Sequence, residues 1–240
     1  MKNAAGRGIA ALALLACAGP GLTRPAATKA EGVIAASKRA TGGSAWDKLE
    51  GCYETGTHAG GAIKYKTWFD LRRYGMRVES ERGGSTRSMG FNGTASWRTN
   101  ATGGVDVADR GDALKEAIVT AYLSNNAFYF PNRFPADLHY MHKAKERGRV
   151  FDVLKVTPEG GRPIELWFDS RSHLLRRVVD NHGTPPVRVE ASDYRRAGKI
   201  SAAFKLTVTD REGKVVDQGA LTSLTCGPID TKLFDPPKNP

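Results

Sequence analysis

Residues 62–81, AIKYKTWFDLRRYGMRVESE, contain two segments in which apolar and polar side chains alternate. Successive residues of a β-strand point to opposite faces of a sheet, so the alternation predicts two strands that each have one apolar face. Tyr74 and Gly75 lie between the segments and indicate a hairpin turn. The predicted apolar face of this hairpin contains Ile63, Tyr65, Phe69, Leu71, Met76 and Val78.

The same pattern continues through the second half of the chain. Leu166 and Phe168 alternate with charged or polar neighbours, and so does Leu206. Short segments of this kind are separated by glycine turns such as Gly83-Gly84, which is typical of consecutive antiparallel hairpins. A sheet of roughly ten strands is expected to curl, so we predict an α+β fold with a partly closed barrel.

Two segments have helical features. Residues 27–41 are rich in alanine and end at Gly42-Gly43, which predicts a short helix that is stopped by glycine. Residues 109–130 place apolar side chains at helical spacing, with Asp109 or Asp112 as the candidate N-cap. Pro131 is expected to end this second helix, which would lie between two groups of strands.

The N-terminus resembles a bacterial export signal. Lys2 and Arg7 precede an apolar run that is too short to span a bilayer, which takes roughly 20 residues. Leu14-Leu15-Ala16-Cys17 resembles a lipobox and predicts lipidation of Cys17, whereas Ala16-Cys17-Ala18 also matches an ordinary cleavage site. We therefore expect residues 1–17 to be a signal peptide, of either the lipoprotein or the ordinary type, followed by one exported domain over residues 27–240.

Export places the mature chain in the periplasm, where Cys17 could anchor it to the outer membrane. Removal of residues 1–16 lowers the formal net charge from +11 to +9. A basic exported surface is suited to anionic lipid head groups or is simply well solvated, and nucleic acid is not an expected partner. Cys52 and Cys226 are then the remaining thiols, and they are either joined as a disulfide that ties the two ends of the sheet or free.

An ordered series of hairpin segments resembles one family of exported bacterial proteins, whose folds are similar to the outer-membrane lipoprotein carriers LolA and LolB. The segments are RATGGSAWDKLEG (39–51), WFDLRRYGMRVES (68–80), GFNGTASWRTN (90–100), ELWFDSRSHLLRRVV (165–179), SDYRR (192–196) and FDPP (234–237). The resemblance covers about residues 30–237 and implies an unclosed barrel with a helix or two packed on or in it. It also implies that the concave face binds acyl chains of lipids or lipoproteins, with the apolar residues named above as its lining.

Similar domains precede retropepsin-like protease modules, whose signature is D-[ST]-G. That tripeptide does not occur in this sequence, so we expect the carrier part alone. No nucleophile elbow, zinc-protease helix or phosphate-binding glycine loop occurs either, and the prediction is a non-enzymatic protein without a cofactor. His139 and His142 are spaced for one helical face but have no nearby ligand partner, so no metal site is predicted.

Two functions remain open at this point. The first is a carrier of a lipid or another hydrophobic ligand in the cell envelope, favoured by the two-faced strands, the export signal and the family resemblance. The second is a module that holds an envelope protein partner. It is favoured by the basic surface and by Trp68 and Trp167, which the alternation places on the charged, exposed faces of their strands.

Overall fold

The computed structural model describes residues 27–183 and 185–237. The expected signal peptide and Cys17 lie outside the described residues, so their processing stays a prediction. Within the described ranges, no helix is both long enough and apolar enough to cross a membrane.

The first helix, α1 (Lys29–Thr41), has clear start and stop signals. The Thr28 hydroxyl accepts a hydrogen bond from the Glu31 backbone N–H at 3.2 Å, and the Glu31 carboxylate accepts one from the Thr28 N–H at 2.6 Å. This capping box satisfies two of the free donors at the helix start. Gly42 ends the helix with a φ of 146°, a backbone conformation that favours glycine. The predicted helix over residues 27–41 is confirmed.

Thirteen strands form one antiparallel sheet. They are β1 (Gly51–His58), β2 (Ile63–Asp70), β3 (Gly75–Arg82), β4 (Ser85–Phe91), β5 (Ser96–Thr99), β6 (Val105–Ala108), β7 (Ala136–Glu146), β8 (Arg149–Pro158), β9 (Ile164–Asp169), β10 (Leu175–Asp180), β11 (Val187–Ala197), β12 (Ile200–Thr209) and β13 (Val215–Gly227). The predicted number was about ten. The difference arises partly because β5 and β6 are four residues each and too short to show an alternation.

The strand order is β6-β5-β4-β3-β2-β1-β13-β12-β11-β10-β9-β8-β7. The first and last strands are therefore neighbours in the middle of the sheet, and β6 and β7 are its two edges. No pairing joins these edges within the described residues, so the barrel is not closed. The predicted unclosed barrel with packed helices is confirmed.

A disulfide lies at the seam where the first strand meets the last. Cys52 of β1 is opposite Cys226 of β13 in the register of the sheet, and their sulfurs are bonded. The two cysteines are 174 residues apart in the sequence, so this single bond links the two halves of the sheet through their central pair of strands.

The second helix, α2 (Gly111–Ser124), lies in the connection between the two edge strands. It is shorter than the predicted segment, and neither predicted aspartate caps it. Arg110 occupies the N-cap position and makes no side-chain capping bond. The helix ends before Pro131 because Asn126 adopts a left-handed conformation with a φ of 47°, after which a 3-10 turn, Ala127–Tyr129, follows.

The core lies between the concave face of the sheet and the chain that follows α2. One face of the helix is buried against the sheet, including Ala117, Ile118, Ala121 and Tyr122. The ring of Phe128 packs edge-on against Phe168 of β9, with ring centroids 6.0 Å apart. Aromatic side chains of the 3-10 turn thus cover the part of the concave face that β8 and β9 form.

The convex face carries the two tryptophans that we expected to be exposed. Both are only half-buried, and each has an arginine over its ring. The Arg177 guanidinium lies 4.5 Å from the Trp167 ring centroid, and the Arg77 guanidinium lies 5.9 Å from that of Trp68. The expectation of freely exposed tryptophans was wrong, because cation–π contacts cover both rings.

Candidate functional site

The hollow part of the molecule is a cavity of about 460 Å3 between α2 and the inner face of the sheet. It opens where the 3-10 turn no longer covers the sheet, under strands β10 to β13 and β1. Its lining comprises Thr41, Trp46, Glu54, Phe69, Glu116, Val119, Thr120, Leu123, Ser124, Asn126, Tyr129, Leu175, Val178, Asp180, Val187, Val189, Ala191, Tyr194, Ser201, Ala202, Ala203, Leu206 and Leu221.

Helix α2 forms one wall of this cavity. Glu116, Val119, Thr120 and Leu123 recur at three- and four-residue spacing and so share one face of the helix. The neighbouring face, which includes Ala121, packs into the core. The helix therefore divides the concave side of the sheet into a filled half and a hollow half.

The opposite wall consists mainly of aliphatic and small side chains of the sheet. Val187, Val189 and Ala191 alternate along β11 and point to the same side. Ala203 of β12, which pairs with the lining residue Tyr194 of β11, also lines the cavity, and its short side chain leaves space that a larger residue would fill. This wall can contact an apolar ligand by dispersion and by exclusion of water.

Two aromatic rings line the inner end of the cavity, and their polar atoms have hydrogen-bonding partners. The rings of Trp46 and Tyr129 are 5.3 Å apart at their centroids. The Trp46 indole N–H donates to the Thr41 hydroxyl at 3.0 Å, and that hydroxyl lies 3.1 Å from the Tyr129 hydroxyl. The Tyr129 hydroxyl is also 2.9 Å from the Ser37 hydroxyl. With their polar groups satisfied in this buried network, both side chains offer apolar ring surface to the cavity.

One acidic group of the lining stands apart from any basic partner. Glu54 lies on β1 opposite Thr67 of β2 and Leu224 of β13. Burial raises the pKa of the Glu54 carboxyl to about 7, and a hydrogen bond from the Thr67 side chain reduces the rise only in part. Glu54 therefore changes charge near neutral pH inside an otherwise largely apolar cavity.

The other two acids of the lining share one arginine. The Arg162 guanidinium lies 2.5 Å from the Glu116 carboxylate and 2.6 Å from the Asp180 carboxylate. Burial acts to raise the pKa of Asp180, but the hydrogen bonds from Arg162 outweigh it and hold that pKa below its usual range. This three-residue cluster links α2 to the end of β10 through the connection between β8 and β9.

The structure separates the nine predicted ligand-binding residues into three groups. Phe69 and Leu206 line the cavity. Four others are almost completely buried in the packed core: Leu71, Met76, Leu166 and Phe168. The remaining three, Ile63, Tyr65 and Val78, are half-buried and lie outside the cavity lining. Alternation identified the inner face of the sheet, but not the part of that face which the 3-10 turn and α2 cover.

Sequence reasoning missed most of the lining. The alternation of Val187, Val189 and Ala191 with Arg188 and Glu190 is visible in the sequence and could have identified the β11 wall. Glu54, in contrast, lies in GCYETGTH, which has no regular apolar alternation that would show its inward direction.

The described residues hold no group of three or more His, Cys, Asp or Glu side chains that could bind a metal ion. His139 and His142 lie on strand β7 and not on a helix. The register of β7 against β8 shifts between Tyr140 and His142. The three-residue spacing of the two histidines therefore does not place them on one face of a helix.

Comparison with known proteins gives information on the fold. No family model matches the sequence, and no curated protein matches it. Among solved structures, a LolA superfamily protein from Nitrosomonas europaea has a TM-score of 0.58 at 10% identity, over 88% of this chain and 99% of that one. A DUF1329 family protein from Desulfovibrio piger has a TM-score of 0.54 at 13% identity, over 86% of this chain and 97% of that one.

A third solved structure is a protein domain from Vibrio parahaemolyticus that is assigned to outer-membrane lipoprotein sorting. Its TM-score is 0.54 at 11% identity, and the match covers 85% of this chain and 96% of that domain. All three matches cover at least 85% of this chain. The protein therefore has a LolA-like fold.

Proposed function

We propose that the protein is an exported, non-enzymatic binding or carrier protein of the bacterial cell envelope whose ligand is hydrophobic. The observation that carries the proposal is the cavity of about 460 Å3 between α2 and β10–β13. Its volume lies within the range of about 300–1,000 Å3 that is usual for small-molecule sites. Valine, leucine, alanine and aromatic side chains dominate its lining, so burial of an aliphatic chain there releases water from apolar surface on both partners.

The fold supports the same proposal. Two of the similar structures are a LolA superfamily protein and a domain assigned to outer-membrane lipoprotein sorting. Identities of 10% and 11% carry over the architecture only, so the ligand proposed for this chain rests on its own cavity. The acyl chain of a lipid or lipoprotein fits the character of the lining.

A binding module for a protein partner is the less favoured alternative. It rested on two exposed tryptophans and on the basic surface, and of these two grounds the tryptophans are half-buried beneath arginine side chains. The hollow interior has no role in that alternative, whereas it is the main feature of a ligand carrier.

The cellular location is part of the proposal. The charged and apolar leader supports export to the periplasm, and Cys17 supports attachment to the outer membrane. Replacement C17S should move the protein from the membrane fraction to the soluble periplasmic fraction. An unmodified mature N-terminus that begins after Ala18 would contradict lipidation.

Binding of the neutral fluorescent probe N-phenyl-1-naphthylamine tests the ligand proposal. Wild-type protein should bind one probe per chain, and Ala203→Trp should weaken binding at least tenfold because the indole fills the cavity, a loss of about 1.4 kcal/mol or more. Ala220→Trp is the matched control, since Ala220 is exposed on the adjacent strand and does not line the cavity. Equal probe binding by both variants would contradict the proposal.

A further inference from the structure

The charge inside the cavity is opposite in sign to that of the chain. The sequence has 36 Lys and Arg residues against 25 Asp and Glu, a formal net charge of +11. The cavity lining includes Glu54, Glu116 and Asp180, and among the described residues that line it there is no Lys, Arg or His. The ionisable side chains that line this apolar cavity in a basic protein are thus acids and tyrosines.

Among the described residues, Glu54 is the acid of the lining that forms no ion pair. Glu116 and Asp180 are both within 2.6 Å of the Arg162 guanidinium and share its single positive charge. In the part of the chain that the structure describes, the hydrogen-bonding partner of Glu54 is the side chain of Thr67, which lies opposite it on β2. It is on β1, and three strands of the sheet, β13, β12 and β11, separate it from Asp180 on β10. A partly desolvated carboxylate without a cation is stabilised either by taking up a proton or by a ligand that supplies a positive charge.

We propose that the cavity binds an amphiphile with one aliphatic chain and a protonated amine, with the ammonium group paired to the Glu54 carboxylate. This inference rests on the proposed function and specifies its ligand class. The chain would lie against the valine and alanine wall of β11 and β12, and the ammonium group would lie at β1. A ligand with a carboxylate or phosphate head would bring a second negative charge next to Glu54 and would meet no basic side chain in the lining.

The pairing also has a pH dependence with a definite sign. An ammonium ligand needs Glu54 ionised, so its affinity should rise as the pH increases through the titration range of Glu54. The other ionisable groups at the cavity are Glu116 and Asp180, both held by Arg162, and the two tyrosines Tyr129 and Tyr194. Burial raises the pKa of both tyrosines above the usual range, so they remain neutral between pH 5 and pH 9. Tyr65, adjacent to Glu54, behaves in the same way.

Three ligands with the same chain and different head groups provide the test. Dodecylamine, dodecanol and dodecanoate should each compete with N-phenyl-1-naphthylamine at pH 8. We expect dodecylamine to bind at least tenfold more tightly than dodecanoate, with dodecanol between them. Glu54→Gln should bring dodecylamine to the affinity of dodecanol and leave dodecanol unchanged. Glu212→Gln, which removes the same charge from an exposed turn, should keep the wild-type order.

The outcomes separate this inference from the proposed function. If none of the three compounds displaces the probe from wild-type protein, the cavity is not a site for aliphatic ligands and both proposals fail. If the three compounds bind wild-type protein equally, or dodecanoate binds best, the cavity binds ligands but the amine preference is refuted. Because the wild-type order alone decides this point, the test does not depend on how well Glu54→Gln folds.

Discussion

Leu166 and Leu206 provide a direct comparison between filled core and hollow cavity. Both are leucines that the sequence placed on the same apolar face of the sheet. Leu166 on β9 is 0% exposed and lies in the core cluster with Phe128 and Phe168, whereas Leu206 on β12 is 39% exposed and lines the cavity. Replacing each with alanine should therefore have different consequences.

The expected magnitudes follow from burial. Truncation of a fully buried leucine to alanine lowers the free energy of unfolding by about 3–5 kcal/mol, because the cost of the void left behind adds to the lost transfer free energy. Leu206 already borders open space and keeps only part of its surface out of water, so its truncation should cost about 1 kcal/mol. For a domain of this size, 1 kcal/mol corresponds to about 3 °C in Tm, which gives a loss of roughly 12 °C for Leu166→Ala and about 3 °C for Leu206→Ala.

Thermal melting followed by circular dichroism measures both values, and urea unfolding measures the free energies independently. A charged substitution extends the comparison. Leu166→Glu should prevent folding, because several kcal/mol for a buried carboxyl approach the whole stability of a domain. The Leu206→Glu variant should fold, but it should no longer bind the fluorescent probe. Equal losses of Tm for the two alanine variants would refute the distinction between core and cavity.

Three further predictions concern other features of the structure. Reduction of the Cys52–Cys226 disulfide, which closes a loop of 174 residues, should lower the free energy of unfolding by up to about 5 kcal/mol. Urea unfolding with and without reductant measures this change, and an unchanged urea midpoint would show that the bond contributes nothing to stability. Burial raises the pKa of Glu54 from 4.5 to about 7, so its protonated form stabilises the folded state below pH 4.5 and this contribution disappears as the pH rises through 7. The stability of Glu54→Gln relative to wild type should therefore increase by about 1–3 kcal/mol between pH 4.5 and pH 8, and a difference independent of pH would contradict the burial of this carboxyl. Arg177→Met should lower the free energy of unfolding by about 1–3 kcal/mol, because the hydrogen bonds of Arg177 to Glu146 and Glu190 are lost. Arg177→Lys should restore little of this loss, since an ammonium group cannot reproduce the planar contact with Trp167. Full recovery by lysine would indicate that only the charge matters.

Local features of the fold were predictable because their causes are local. The capping box of Thr28 and Glu31 and the glycine at position 42 define α1 within a few residues. Asp169 accepts hydrogen bonds from the backbone N–H groups of Arg171 and Ser172, as expected of a short polar side chain at a hairpin turn. Alternation likewise identified the inner faces of β2, β3 and β9.

The position of the cavity was not predictable in the same way. It depends on where α2 crosses the sheet and on the turn at Asn126, after which Phe128 packs against Phe168 of β9. Leu166 and Leu206 have the same pattern in the sequence, and only the position of the covering chain makes one of them core and the other lining. The inward direction of Glu54 similarly depends on the pairing of β1 with β13, two strands at opposite ends of the sequence.

Native mass spectrometry tests the central claim, that the hollow half of the barrel holds one apolar ligand, most directly. Wild-type protein, Ala203→Trp and Ala220→Trp would each be incubated with a total lipid extract of a bacterial envelope, separated from free lipid and measured intact. We predict one noncovalently bound lipid per chain on wild-type protein and on Ala220→Trp, and none on Ala203→Trp. Folded wild-type protein without bound lipid, or an equal amount of bound lipid on Ala203→Trp, would contradict the claim.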